Sequence, residues 1–251
     1  MRRSQLVEYL NAELRLAEFD DSSKNGLQVD GPEEVTRVAL AVDASLAAFR
    51  AAAGKQAQLL IVHHGMFWAR PVMLTGPAFR RVKALIDGGV GLYAAHLPLD
   101  AHPKFGNNIE LCRRLGLRKI KPFGNYHKMT IGFAGELPRA MPLSAMVDCL
   151  RRATGAPAAL VLDGGPKRAR RIGCVSGGAA DMVEQAAAAG LDTYVTGETS
   201  HSYFHSGPEN NVNVIYGGHY ATETTGIRAL GRRLQSRFRL ETVFLDIPTG
   251  L

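Results

Sequence analysis

The sequence has no long hydrophobic run and few cysteines, and these absences exclude several classes of protein. No stretch of about eighteen apolar residues occurs, so we expect no membrane-spanning helix and no membrane partner. Charged Glu8 and Glu13 interrupt the apolar residues of the N-terminal segment, which therefore lacks the core of a signal peptide. The cysteines are odd in number and far apart (Cys112, Cys149 and Cys174), which excludes a disulfide framework and favours a cytoplasmic protein.

Internal repeats, low-complexity segments and the common catalytic signatures are also absent from the sequence. The stretch Ser176-Gly177-Gly178 follows a strand-like run, but it lacks the full GxGxxG or GxxxxGK[ST] spacing of phosphate-binding loops. Such a turn either presents backbone N–H groups to an anion or turns the chain without binding a ligand, and we favour the second interpretation. No Gly-x-Ser-x-Gly motif indicates a serine hydrolase.

Acidic residues are fewer than basic ones, 23 against 30, which gives a net charge of +7. This excess favours anionic ligands such as nucleotides or nucleic acid. However, the basic residues are spread along the chain in pairs such as Arg80-Arg81 and Arg232-Arg233, mostly within helical patterns. We therefore interpret them as solvated helix faces, and nothing further in the sequence supports nucleic acid as a partner.

The sequence does contain a regular alternation of strand-like and helical segments. Short runs rich in branched apolar residues predict strands at 35–42, 58–62, 90–95, 129–134, 158–162, 171–175, 193–196, 212–216 and 240–246. Apolar residues at helical spacing predict helices at 4–19, 45–53, 77–87, 107–115, 142–153, 179–189 and 221–236. Such alternation predicts an α/β fold.

Two histidines follow the predicted strand that ends at Val62, at the point where Gly65 turns the chain. In open α/β folds, ligands bind outside the carboxyl ends of the strands, so His63 and His64 occupy a favoured position for a site. Because adjacent strand residues point to opposite faces, we expect the two rings to diverge. They would then serve two neighbouring ions rather than chelate one together.

Two further groups of metal-ligating side chains follow predicted strands. One contains His96 and Asp100, and the other contains His219 and Glu223. The last two are four residues apart, so in a helix they share one face. A lone histidine is more often a surface or hydrogen-bonded residue than a ligand. Three such groups at strand ends, however, predict a site for zinc, iron or manganese.

Three other polar residues near these groups have roles that the sequence leaves open. Pro98 makes a helix from His96 to Asp100 unexpected, so we expect His96 to orient the ligands rather than to bind metal itself. Glu198 and His201 follow another predicted strand and are candidates for an acid–base pair. The alternative is that Glu198 stabilises a helix N-terminus and that His201 is exposed.

These motifs, in this order, resemble those of the Nif-three-like proteins, which are often called GTP cyclohydrolase I type 2 homologues. The resemblance rests on His63-His64-Gly65, on the segment from His96 to His102, and on Gly218-His219 followed by Thr222-Glu223. Three shorter stretches also fit: Asn25-Gly26-Leu27-Gln28-Val29, Thr196-Gly197-Glu198 and Asp246-Ile247-Pro248. The resemblance runs nearly end to end and is to the short bacterial form of the family.

The resemblance implies a Nif-three-like fold, in which two α/β lobes hold a dinuclear metal site in the cleft between them. The first lobe would be discontinuous, with residues 1–122 and 221–251, and the second would span residues 123–220. An interruption of the pattern by Pro, Gly and Asn near residue 122 agrees with this boundary. The implied ligands of two divalent ions are His63, His64, Asp100, His219 and Glu223, with Glu223 as the bridge. The resemblance also implies a ring-shaped homohexamer.

The leading functional interpretation is a metal-dependent hydrolase that acts on a small anionic, nucleotide-like substrate. Glu198 and His201 are its candidate catalytic residues, and the cyclohydrolase activity enters by resemblance alone. Two other classes of protein would use the same ligands: one stores or delivers metal, and the other is an interaction scaffold that its metals only stabilise. A pure scaffold has no need of an acid–base pair, so Glu198 and His201 discriminate between these classes.

Overall fold

The computed structural model describes residues 1–250, which form two compact units. The first unit comprises residues 1–99 and 227–247, and the second comprises residues 100–226 and the C-terminal residues from Pro248. Helices and strands alternate in both units, which confirms the predicted α/β class. Within residues 1–250, none of the helices combines the length and apolar character needed to cross a bilayer.

The first unit is built on one five-stranded sheet. Its elements are α1 (Arg3–Glu13), β1 (Gly26–Val29), β2 (Arg37–Asp43), α2 (Leu46–Gly54), β3 (Leu59–His64), α3 (Gly76–Asp87), β4 (Gly91–Ala94) and β11 (Glu241–Phe244), with a 3-10 turn at Leu16–Glu18. The strand order is β1-β4-β3-β2-β11, with β1 antiparallel to β4 and the other strands parallel. The central strand is therefore β3, whose carboxyl end lies at the same sheet edge as those of β2 and β4.

Apolar burial fixes this sheet and the helices that cover it. Leu60 on β3 and Leu92 on β4 are fully buried in one cluster with Phe49 of α2 and Leu85 of α3. Helix α2 begins where the Ser45 hydroxyl accepts a hydrogen bond from the Ala48 N–H at 3.1 Å, a favourable N-cap. The strand that carries His63 and His64 is thus held by a continuous core rather than by the site itself.

The second unit is built on a six-stranded sheet of order β5-β6-β8-β9-β10-β7. Its elements are α5 (Asn107–Arg114), β5 (Arg118–Tyr126), β6 (Met129–Pro142), α6 (Leu143–Thr154), β7 (Leu160–Leu162), β8 (Arg168–Cys174), α7 (Val183–Ala188), β9 (Thr193–Thr196), α8 (Ser206–Glu209) and β10 (Asn213–Tyr216), with 3-10 turns at Ala180–Met182 and His201–Tyr203. Strands β8, β9 and β10 are parallel, and the remaining pairings are antiparallel. Two helices, α4 (Leu97–Asp100) and α9 (His219–Phe238), contain residues of both units.

The core of the second unit lies between its sheet and the two helices α5 and α6. Leu111 of α5, Met146 and Leu150 of α6, and Ile172 of β8 are fully buried in one cluster. Parallel β8, β9 and β10 end at one sheet edge, and the chain leaves this edge through Ser176, Gly197 and Gly217. Loops at such an edge are where α/β sheets place their ligands.

The structure corrects one local expectation, that Pro98 prevents a helix, and gives regular structure to the interruption near residue 122. This interruption forms β5, an edge strand whose Pro122 has a sheet neighbour on one side only, a position where proline is tolerated. The stretch from Leu97 to Asp100 is helical despite Pro98. Proline is tolerated there because it lies in the first turn, where its missing N–H would have had no partner within the helix.

Candidate metal centre

The rings of His63 and His64 converge at the carboxyl end of β3, so the expectation that they diverge is wrong. Their centroids lie 4.7 Å apart. The Nδ1 of His63 donates to the Ala95 carbonyl at 2.9 Å, and the Nδ1 of His64 donates to the Asp43 carboxylate at 2.8 Å. Alternation along a strand describes where each Cβ points. The rings lie further out, and these two hydrogen bonds to neighbouring chain segments turn them toward each other.

His96 completes a group of three imidazoles in the first unit. Its ring centroid lies 5.1 Å from that of His63 and 5.6 Å from that of His64. One ligand atom from each of the three side chains lies within 4.8 Å of the other two, a spacing that can hold a metal ion. The indole of Trp68 stands edge-on to His96, 5.0 Å between centroids, and donates its N–H to the Gly65 carbonyl.

Each of these imidazoles has an oxygen acceptor at Nδ1. For His63 it is the Ala95 carbonyl, for His64 the Asp43 carboxylate, and for His96 the Asp21 carboxylate at 3.0 and 3.1 Å. An oxygen acceptor at Nδ1 keeps the proton there and puts the lone pair on Nε2. This is the arrangement that orients histidine ligands in metalloproteins. The donor chemistry of the group therefore fits a divalent metal.

Asp21 and Asp43 are functional candidates that the sequence analysis missed. The Asp21 side chain is only 2 % exposed, and its carboxylate accepts from Ser23 N, Asn25 Nδ2 and Leu97 N as well as from His96. Burial alone would raise the pKa of Asp21, but hydrogen bonding and charge from His96, together with the bonds from Asn25 and Ser23, lower this pKa to about 2. Asp21 is therefore an anion beside His96 at neutral pH.

In the second unit, His219 and Glu223 lie on one face of α9, as their spacing predicts. His219 is the first residue of the helix and is half-buried, and Glu223 lies one turn further and is buried. The Nε2 of His219 is 3.2 Å from Oε1 of Glu223. A helical spacing of four thus brings an imidazole nitrogen and a carboxylate oxygen to one point, which suits a metal of the zinc, iron or manganese class.

Glu198 contacts this pair, and His201 is exposed on the turn that follows Glu198. The Oε2 of Glu198 accepts a hydrogen bond from Nδ1 of His219 at 2.6 Å. His219 therefore has an oxygen acceptor at Nδ1, as each of the three imidazoles of the first unit does. His201 is exposed on the 3-10 turn that it begins, three residues beyond Glu198.

The turn at Gly177 packs closely against His219 and Glu223, a relation that the sequence did not indicate. Gly177 has a positive φ of 68°, and a Cβ there would lie 2.2 Å from Oε1 of Glu223 and 3.2 Å from Nε2 of His219. Its N–H donates to the Thr222 hydroxyl at 3.1 Å. Glycine is needed at this position both for its backbone conformation and because a side chain would displace the carboxylate.

Asp100 is buried in the second unit and one of its oxygens is held by two donors. Its Oδ1 accepts from Asn107 Nδ2 at 2.9 Å and from the Ser176 hydroxyl at 3.0 Å. The Ser176 N–H in turn donates to Oδ1 of Asn108 at 2.6 Å. These bonds fix the orientation of the Asp100 carboxylate.

Comparison with known proteins identifies relatives over the whole chain. The model of the family described as Duf34/NIF3 (NGG1p interacting factor 3) matches residues 1–250. A protein of Deinococcus radiodurans named GTP cyclohydrolase 1 type 2 homolog is 46% identical over 99% of this chain and 94% of its own length. A protein of the same name from Pyrococcus horikoshii is 42% identical, and the match covers both chains completely.

Solved structures give the same result. TTHA1606 from Thermus thermophilus superposes with a TM-score of 0.94 at 44% identity, covering 100% of both chains. The protein ybgI, whose function its own description gives as unknown, superposes with a TM-score of 0.93 at 34% identity, again over both whole chains. The two-sheet α/β architecture is thus the NIF3 fold, and the chain belongs to the DUF34/NIF3 family.

Proposed function

We propose that this protein binds two divalent metal ions and uses them to hydrolyse a small anionic, nucleotide-like substrate. One observation carries the proposal: His63, His64, His96 and His219 all have an oxygen acceptor at Nδ1. Four imidazoles with the same tautomer are expected of ligands and are not required of core or surface histidines. The relatives' name, GTP cyclohydrolase 1 type 2 homolog, supports a nucleotide-like substrate.

The proposed ligands are His63, His64, Asp100, His219 and Glu223. The ions would be zinc, iron or manganese, since these metals accept mixed imidazole and carboxylate ligands. Two dications repel, so anionic groups have to lie between them. Glu223 suits that role because a carboxylate offers two oxygens, one of which already lies beside His219.

Metal ions in such a centre polarise the scissile group and activate water near neutral pH. The protein's own residues would supply the rest. Glu198 holds the proton on Nδ1 of His219 and so keeps the lone pair on Nε2. His201 would donate a proton to the leaving atom as a general acid. The net charge of +7 would favour an anionic substrate.

Two other functions would use the same ligands. Neither involves turnover of a substrate, and this distinguishes both from the hydrolase. A metal-storage or metal-delivery protein would bind and release its ions without changing a substrate. A metal-stabilised interaction scaffold would lose its assembly, but no activity, when the metal is removed. In both of these classes, His201 would have no role near the metal.

Replacement of Glu223 by Gln should remove most of the bound metal while the fold persists. The amide keeps the shape of the side chain but lacks the negative charge that offsets the repulsion between the ions. Metal per chain, measured by mass spectrometry on protein purified without chelator, reports the loss, and circular dichroism reports the fold. Glu209→Gln, at an exposed position of α8, is the matched control and should keep its metal. Two ions per chain in Glu223→Gln would refute the bridging role.

Replacement of Gly177 by Ala should also lower metal content, by steric displacement of the Glu223 carboxylate. Gly155→Ala is the control, because Gly155 has a φ of 78° but no atom within 4 Å of a Cβ. Both variants carry a similar conformational penalty, of about 1 kcal/mol. Only Gly177→Ala should lose metal in the same analysis. Equal metal content in the two variants would mean that glycine is needed at Gly177 only for its backbone conformation.

Replacement of His201 by Ala should leave metal content unchanged and lower turnover by roughly a hundredfold, the size of a general-acid contribution. GTP and bis-p-nitrophenyl phosphate are suitable first substrates, assayed with each of the three metals. His205→Ala removes another exposed imidazole from the same segment and should have no effect on turnover.

Glu198→Gln should instead weaken metal binding, because Glu198 contacts His219. If the metal-loaded protein turns over none of a broad set of nucleotides and phosphoesters, the metal-handling class is favoured.

The protein should form a homohexamer, as its family resemblance implies. Of the eight large apolar side chains that are exposed in residues 1–250, five lie between Val72 and Ile86, including Met73 at 77% exposure. Such a concentration is typical of a surface that another protein covers. Light scattering should return six times the mass of one chain, and Phe79→Glu should lower that mass. A monomer mass for the unmodified protein would contradict the expectation.

A further inference from the structure

We infer that His96 is a direct metal ligand and that Asp21 is the positioning residue that makes it one. The inference rests on the proposed metal function and deepens it, since the five proposed ligands do not include His96. With His63 and His64, it would give the first unit a group of three imidazole ligands. Three protein ligands and an open position are typical of catalytic rather than structural zinc sites.

The distances agree with direct ligation. The ligand atoms of His63, His64 and His96 lie within 4.8 Å of one another. Three nitrogens, each about 2.1 Å from one tetrahedral metal ion, lie about 3.4 Å from one another, so binding needs a closing movement of the rings. The three ring centroids are separated by 4.7 to 5.6 Å, so the rings form one compact group.

The loop at residues 21–25 holds both the ring and the backbone of His96. Asp21 accepts from the ring at Nδ1, and the Asn25 side-chain oxygen accepts from the His96 backbone N–H at 2.7 Å. Asn25 also donates to the Asp21 carboxylate at 2.9 Å. The ring of His96 therefore has little rotational freedom, and Trp68 limits it further from the side.

Asp21 could have a simpler role, in which it only anchors this loop to the start of α4. The backbone N–H groups of Ser23 and Leu97, both bonded to the carboxylate, would be enough for an anchor. An anchor does not require the bonds to His96 Nδ1, nor does it explain why a 2 % exposed carboxylate is paired with an imidazole beside two others. Positioning explains both, because charge-assisted bonds are short and directional.

The test compares Co²⁺ binding by the full-length protein and three variants. The variants are His96→Gly, Asp21→Asn and the control Asp192→Asn, whose carboxylate accepts from Arg170 N and Arg171 N at 3.0 and 2.8 Å. Competition with a chromogenic chelator measures the affinity for Co²⁺. The visible absorption spectrum of the bound Co²⁺ reports on its ligands. We expect a loss of at least about 100-fold for His96→Gly and about 10- to 100-fold for Asp21→Asn. Asp192→Asn should bind as the unmodified protein does.

Added imidazole separates ligation from positioning. It should restore the Co²⁺ spectrum of His96→Gly, because it can replace the lost nitrogen, and it should not restore the affinity of Asp21→Asn. The melting temperature of each metal-free variant checks its fold, and His96→Gly tests the ligand even if Asp21→Asn does not fold. Unchanged affinity and spectrum in His96→Gly, with two ions still bound, would overturn this inference alone. An unmodified protein that binds no Co²⁺ would overturn the proposed function as well.

Discussion

The hydrogen bond from an imidazole Nδ1 to an oxygen is the interaction on which the candidate site depends. It occurs at His63, His64, His96 and His219, and in three cases the acceptor is a carboxylate. Each bond fixes a ring direction and a tautomer, so the site's geometry is set before any ligand arrives. The fold supplies the acceptors at strand ends: Asp43 ends β2, and Ala95 directly follows β4. The geometry of the candidate site thus follows from the sheet's register as much as from the histidines themselves.

Most of the regular structure could be predicted from periodicity, because burial imposes it. The strand at Thr193–Thr196 lies where the pattern places it, and the helix that carries Glu223 begins at His219, two residues before its predicted start. Strand β1, with only four residues, and strand β5, interrupted by Pro122, carry little apolar signal, since both are edge strands with partners on one side. Edge strands are defined by what they pair with, and a single sequence does not contain that information.

The parts of the site that sequence reasoning missed are those that depend on long-range contacts. Asp43 follows a strand-like run, so the rule that found the histidines would also have found it. Asp21 lies in a loop, 75 residues from His96, and no local pattern connects the two. The tight fit of Gly177 against Glu223 is equally non-local, since only the folded chain shows that a Cβ would meet the carboxylate. Local sequence identifies the groups that can bind, and tertiary structure determines which groups hold them in place.

The position of Trp68 has a practical consequence for optical measurements. It is the single tryptophan of the chain, and its indole lies 5.0 Å from His96 and 6.2 Å from His64. All tryptophan emission from the protein therefore originates beside the imidazoles of the first unit. A change in that emission reports on one half of the candidate centre, so the protein carries an intrinsic, site-specific fluorophore.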